Sequence, residues 1–102
     1  MTRAELIEMI AAKHPQLSIK EIEQAVKHLF EKMAQALINQ QRIEIRGFGS
    51  FSLRFHPSRT ARNPKTGEFL HTNGKFSPHF KVGKELRERV NQEKNRHPIQ
   101  EE

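Results

Sequence analysis

Seven basic side chains fall between residues 52 and 84, namely Arg54, Arg59, Arg62, Lys65, Lys75, Lys81 and Lys84, against a single acid, Glu68. Residues 1–41 instead balance five Lys/Arg with five Glu. Cations gathered in this way act through charge: they neutralise a polyanion and release its counterions. A basic region joined to a neutral one therefore predicts a polyanionic partner. The basic residues surround Arg62-Asn63-Pro64-Lys65-Thr66-Gly67-Glu68, where Asn and Pro open a hairpin turn and Gly closes it. The polar stretch around that turn, residues 56–75, has few apolar side chains to bury.

Other chemistries lack their residues. The chain of 102 residues has no cysteine, which removes disulfides, thiolate chemistry and cysteine-ligated metal. It has no Asp, and its Glu residues are scattered. The histidines at 14, 28, 56, 71, 79 and 97 form no i, i+4 pair suited to a metal. Gly47-Phe48-Gly49 is too short for a phosphate-binding loop. No enzyme, metal or cofactor is expected. The N-terminal stretch carries two glutamates in its apolar part, unlike a signal peptide. No apolar run approaches the ~18 residues of a membrane span.

The neutral part supplies the elements that position the basic one. Thr2 to Glu5 and Ser18 to Glu21 are capping boxes, each predicting a helix start. Leu6, Ile7 and Ile10 follow the first at helical spacing, and Pro15 ends that pattern. Leu17 and Ile22 flank the second box as a hydrophobic staple would. Ile22, Ala25, Val26, Leu29, Phe30, Met33, Ala36 and Leu37 then draw an apolar stripe, read as core rather than as a ligand groove. The two helices are expected to form an antiparallel hairpin.

After Asn39 the period falls to two. Ile43 and Ile45 alternate with Arg42, Glu44 and Arg46; Phe51, Leu53 and Phe55 alternate with Ser50, Ser52, Arg54 and His56. Gly47-Phe48-Gly49 turns between them. Phe76 and Phe80 mark a third strand over 75–81, and Gly83 opens a last helix with Leu86 and Val90 on one face. The expected fold is α+β: a helical hairpin, a three-stranded antiparallel sheet with a protruding ribbon arm over 56–75, and a short C-terminal helix. Residues 1–91 form one domain, and 92–102 a flexible polar tail. Five of the seven Phe lie on or beside the strands, more than two helices of one chain can cover. An intertwined dimer with a shared core resolves this surplus and the open sheet edges.

The segment between Phe55 and Phe76 is then a two-stranded ribbon leaving the sheet. Arg59, Arg62 and Lys65 lie on one limb, Lys75 on the other, and Pro64 near the tip. Such a ribbon orders when its cations meet phosphates, and its shape suits a duplex groove. Pro64 has two readings. It is rigid and apolar with no N–H, fit to wedge between base pairs; equally, it presets φ for a turn. Glu44 and Arg46 share a strand face with Arg42. They are either a carboxylate orienting an arginine over a groove or a cross-strand surface pair. Lys81, Lys84 and Arg87 surround the start of the last helix. Helix N-termini there and near Thr2 offer free N–H groups to phosphates, and Arg3 and Lys27 add charge.

These residues resemble a known family. ELIE near the start, RIEIRGFGSFSL at 42–53, RTARNPKTGE at 59–68 and PHFKVGKELRERVN at 78–91 are similar to the HU and integration host factor proteins of bacteria. Gly47-Phe48-Gly49 with Arg62-Asn63-Pro64 carries the family likeness. Arg42 to Arg46, with Pro78-His79-Phe80-Lys81, points to the beta subunits of integration host factor within it. The resemblance implies a dimer whose two arms wrap the minor groove of double-stranded DNA, with Pro64, beside Arg62, Asn63 and Lys65, as the intercalating residue. It also implies a homologous alpha subunit as partner and a cytoplasmic, nucleoid-associated protein that bends DNA for recombination, replication and transcription control. Glu44 and Arg46 match positions that help to read a short sequence element. Val82 replaces the family's usual proline, which is expected to loosen the entry to the last helix. An HU-like homodimer with little sequence preference and a basic RNA-binding protein are the rival readings; for the latter, Phe69 is the one stacking aromatic on the ribbon.

Overall fold

The structure is a computed structural model and describes residues 1–97. Of the expected tail, residues 98–102 lie outside the described residues; residues 93–97 are turn, with Arg96 and His97 both donating to the Glu93 carbonyl. Helix α1 (Arg3–Lys13) starts at the first capping box. The Thr2 hydroxyl accepts from the Glu5 N–H at 3.1 Å, and the Glu5 carboxylate accepts from the Thr2 N–H at 3.3 Å. Helix α2 (Ile19–Ile38) repeats the device with Ser18 and Glu21 at the same two distances. Each N-cap is worth about 1 kcal/mol.

The end of α2 is less well fitted. The Gln41 N–H donates to the Ala36 carbonyl and the Gln40 N–H to the Leu37 carbonyl, both at 2.9 Å. This paired closure needs a left-handed residue after the cap, and Gln40 supplies it with φ 60° where glycine is usual.

Strands β1 (Ile43–Ile45), β2 (Gly49–His56) and β5 (Lys75–Val82) form the sheet in the order β1-β2-β5, all antiparallel. Between β2 and β5 the chain makes a separate two-stranded sheet of β3 (Arg59–Arg62) and β4 (Phe69–Thr72). The expected ribbon is therefore present, but pairing breaks at Pro57-Ser58 and Asn73-Gly74, so the arm is jointed rather than continuous. The third strand runs one residue further than the Phe spacing predicts, because Val82 pairs with Gly49. The Gly83 N–H then donates to the Phe48 carbonyl at 2.8 Å, and α3 (Lys84–Gln92) begins. Val82 is the last residue of the strand, and the helix entry is tied by Gly83.

The β2–β5 register sorts the side chains. Phe51 faces Phe80, Leu53 faces Pro78 and Phe55 faces Phe76 on one side of the sheet. Ser50 faces Lys81, Ser52 faces His79 and Arg54 faces Ser77 on the other. The apolar side is a row of tilted rings, with centroids 4.8 Å apart for Phe51–Phe80, 5.4 Å for Phe48–Phe80 and 5.1 Å for Phe55–Phe76. Gly49 admits this packing: a Cβ there would stand 2.7 Å from the Phe80 ring.

The expected core is only partly closed. Ile7, Ile22 and Val26 are buried where α1 crosses α2, with Ile10 and Ala11 packed beside them. Further along the stripe Met33, Ala36 and Leu37 are half-buried, whereas Ala25, Leu29 and Phe30 are exposed. The helical hairpin meets β1 and β2 sparsely and leaves the Phe face open, with Phe55 58% exposed. Among the described residues no second layer covers either surface. Its Cα radius of gyration, 19.7 Å, far exceeds the ~13 Å of a compact domain of this length. Among the described residues no helix is long and apolar enough to cross a membrane.

The left-handed Gln40 gives a direct test. Gln40→Gly is expected to stabilise the protein by about 1 kcal/mol, because glycine carries no Cβ penalty at φ 60°. Urea unfolding at fixed protein concentration reads the shift.

Candidate nucleic-acid interface

The tip of the arm is locked by its own backbone. The Asn63 N–H donates to the Glu68 carbonyl at 2.7 Å, and the Gly67 N–H donates to the Asn63 carbonyl at 2.8 Å. The Asn63 side chain accepts from the Lys65 N–H at 2.9 Å, a local turn that spans Pro64. Gly67 takes φ 75°, which an L side chain rarely adopts. The Arg62 Nε donates to the Gly67 carbonyl at 3.2 Å, so the guanidinium leans along the loop. Pro64 and Lys65 are left exposed at the apex. Asn63 is half-buried, and its Oδ1 is used in the turn.

Cross-strand pairing then divides the arm. Arg62 lies opposite Phe69 and Thr60 opposite His71 on one face; Ala61 lies opposite Leu70 and Arg59 opposite Thr72 on the other. At the base, Arg59, Lys75, His56, Pro57, Thr72 and Ser77 line one hollow. His56 Nε2 and Ser77 Oγ are hydrogen-bonded across it at 2.7 Å.

On the body, a shallow groove brings together Glu44 of β1, Arg42 and Arg46 on either side of that strand, Ser50, Lys81, and Lys84 at the start of α3. These come from two segments far apart in sequence, residues 42–50 and 81–84, joined by the β1–β2–β5 order. Arg42 and Glu44 form an ion pair of 3.0 Å, both well exposed. The carboxylate is thus spent on Arg42, two residues before it on the same strand face, rather than on Arg46. The pair runs along the strand and not across it. Lys84 and Arg87 sit in the first turns of α3, whose Gly83 cap provides no side-chain acceptor for the free N–H groups. Arg3 and Lys27 meet in a different groove, between α1 and α2.

The polar face of the sheet holds candidates that the sequence motifs did not single out. Arg54, His56 and His79 stand on it beside Ser50, Ser52, Ser77 and Lys81. The period-two alternation already placed Arg54 and His56 there; His79 needed the third strand's register.

A basic tip, a basic hollow and a basic groove fit a long polyanion. The bacterial DNA-binding protein family matches residues 1–91. The chain belongs to that family. Within it, a relative from Hahella chejuensis, an integration host factor subunit beta, is 62% identical over 91 residues, covering 89% of this chain and 93% of the relative. The same subunit from Halorhodospira halophila is 57% identical over 99 residues, covering 97% of each. Among solved structures, the cocrystal of Anabaena HU with DNA superposes with a TM-score of 0.77 at 31% identity, covering 88% of this chain and 97% of that one. HU from Thermotoga maritima gives a TM-score of 0.59 at 27% identity, covering 88% and 98%. The α+β fold with its arm is therefore that of the bacterial DNA-binding proteins.

In this bacterial DNA-binding protein the Arg42–Glu44 pair is solvated and adds little to stability. Glu44→Gln is expected to change the unfolding free energy by less than about 0.5 kcal/mol, as measured by chemical denaturation. A larger loss would mean that the pair is structural.

Proposed function

We propose that the chain is the beta subunit of an integration host factor heterodimer, which binds the minor groove of duplex DNA and bends it sharply. Residues 1–91 are the DNA-binding domain. The observation that carries this reading is the arm: a ribbon that buries nothing of its own yet holds an exposed proline at a locked, cationic tip. Its pairing alone does not account for Arg62 and Lys65 at that apex or for Arg59 and Lys75 at the base. A duplex groove does, since phosphates satisfy the cations and the groove walls flank the ribbon.

Each candidate residue then has a role. Pro64 intercalates and opens a base step, at a cost of a few kcal/mol. Arg59, Arg62, Lys65 and Lys75 hold the phosphates on either side, and Asn63 keeps the tip in shape. Lys81, Lys84 and Arg87 with the α3 N-terminus, and Arg3 with Lys27, take the DNA where the bend returns it to the flanks. Arg42, Glu44 and Arg46 sense the sequence of one half-site, mostly through groove width and deformability. The role is mechanical, with no chemical step on the DNA. By bringing distant sites together it serves recombination, replication, and control of transcription and translation, on the nucleoid in the cytoplasm.

The open apolar faces support a dimeric state, since Leu29, Phe30, Phe48 and Phe80 need cover that one chain lacks. The integration host factor beta relatives favour an alpha-subunit partner. A homodimer with little sequence preference is the alternative. Subunit mass decides between them: mixed with a homologous alpha chain, the protein is expected to exchange fully into a one-to-one dimer. Persistence of the homodimer would favour the HU-like reading.

The wedge is tested by pairing two variants. Pro64→Ala is expected to lower DNA bending, read by ligase-mediated circularisation or energy transfer between duplex ends, far more than affinity. Arg62→Ala is expected to weaken binding to most sequences and to reduce the salt slope by about 1. Normal bending by Pro64→Ala removes the wedge and leaves Pro64 as a turn residue. Tighter binding to RNA than to duplex DNA at matched salt would favour the RNA-binding reading.

A further inference from the structure

Asparagine stands at positions 39, 63, 73, 91 and 95. The side-chain amide of asparagine is open to attack by the backbone nitrogen of the next residue, so what holds that nitrogen decides how long the amide lasts. Pro64 follows Asn63 and has no N–H to lose. The Gln40 N–H after Asn39 donates to the Leu37 carbonyl at 2.9 Å, and the Arg96 N–H after Asn95 donates to the Glu93 carbonyl at 3.0 Å. Gln92 after Asn91 belongs to α3, whose i−4 ladder employs its N–H. Gly74 after Asn73 differs from all four. It lies in neither sheet, and among the described residues no backbone hydrogen bond of the turns and loops takes its N–H.

The setting of this pair favours attack. Asn73 and Gly74 are both exposed and form the joint between β4 and β5. With no ladder bond across them, they have the freedom to bring the nitrogen onto the side chain. Glycine also has no Cβ to hinder ring closure. Nor is that glycine easily replaced, because a Cβ at 74 would stand 3.1 Å from the Phe55 ring. Close packing at the root of the arm therefore keeps the least hindered neighbour beside Asn73.

We propose that Asn73 is a self-modification site, which converts to isoaspartate and thereby weakens the arm's grip on DNA. The Gly74 nitrogen bonds to the Asn73 side-chain carbonyl carbon and gives up its proton. The bond from that carbon to the amide nitrogen breaks, ammonia leaves, and a succinimide ring remains. Water then opens the ring. Cleavage at the side-chain carbonyl gives aspartate; cleavage at the main-chain carbonyl gives isoaspartate, whose backbone runs through the former side chain and is one methylene longer. Water is the only co-reactant. Either product puts a carboxylate between Thr72 and Lys75, which with Arg59 and His56 line the basic hollow at the base of the arm. The new charge opposes a phosphate there, and the extra methylene displaces β4 relative to β5. This consequence rests on the arm binding duplex DNA as described above, whereas the conversion itself does not.

The test ages the assembled dimer in warm, mildly alkaline buffer beside an Asn73→Gln variant, whose longer side chain closes its ring far more slowly. Peptide mapping reads the amide-to-acid change, and enzymatic methyl transfer from S-adenosylmethionine reads isoaspartyl carboxylates. Position 73 is expected to convert before positions 39, 63, 91 and 95. The aged native dimer should lose about fivefold in duplex affinity at near-physiological salt, with a salt slope lower by about 1, as the loss of one phosphate contact implies. The aged Asn73→Gln dimer should lose neither. Asn73→Asp, which carries the charge without the longer backbone, should show the lower salt slope before any ageing. Earlier conversion at another asparagine, or a dimer converted at 73 that binds and bends duplex as fresh dimer does, overturns the proposal while leaving the duplex-bending reading in place. Failure of the fresh dimer to bind duplex at all refutes the bending reading, and the weakened grip falls with it.

Discussion

The register between β2 and β5 is the constraint on which the molecule depends. Side chains alternate along a strand, so a slip of one residue would exchange the two faces of the sheet. In the observed register Phe51, Leu53 and Phe55 meet Phe80, Pro78 and Phe76, and Lys81, His79 and Ser77 share the other face with Ser50, Ser52 and Arg54. One choice of pairing thus makes an apolar surface fit for a partner subunit and a polar surface fit for DNA, back to back. That register requires glycine at 49, since a Cβ there would stand 2.5 Å from the Lys81 carbonyl oxygen and 2.7 Å from the Phe80 ring.

Stability and function are divided unequally along the chain. The helical hairpin supplies the buried side chains Ile7, Ile22 and Val26 and two complete capping boxes. The arm supplies none of these and keeps its shape through short hydrogen bonds within the tip. Its joints at Pro57-Ser58 and Asn73-Gly74 separate its pairing from that of the sheet. The tip geometry is therefore set locally, whereas the direction of the arm is left to its base, where His56, Arg59 and Lys75 gather.

Much of this was legible in the sequence because it is local. The capping boxes at Thr2 and Ser18, the change of period after Asn39 and the turn chemistry of Asn63-Pro64 with Gly67 are written in neighbouring residues, and the structure has them all. What was less legible depends on distant residues. The stripe from Ile22 to Leu37 reads as core throughout, yet only its N-terminal part meets α1 within the chain. The strand through Phe76 and Phe80 extends to Val82 because Gly49 stands opposite. Glu44 has arginines two residues away on both sides, and spacing alone does not choose between them; the structure pairs it with Arg42. The meeting of Arg3 with Lys27 follows from the α1–α2 crossing and is invisible in either helix alone.

Pro78 has a consequence beyond facing Leu53. It lies in β5, the outer strand of the three-stranded sheet, whose free backbone would otherwise present an uninterrupted row of donors. A proline has no N–H to give, so an incoming strand meets a gap midway along that row. A chain this rich in uncovered phenylalanine runs a standing risk of polymerising strand upon strand, and this single ring obstructs that route while leaving face-to-face association open.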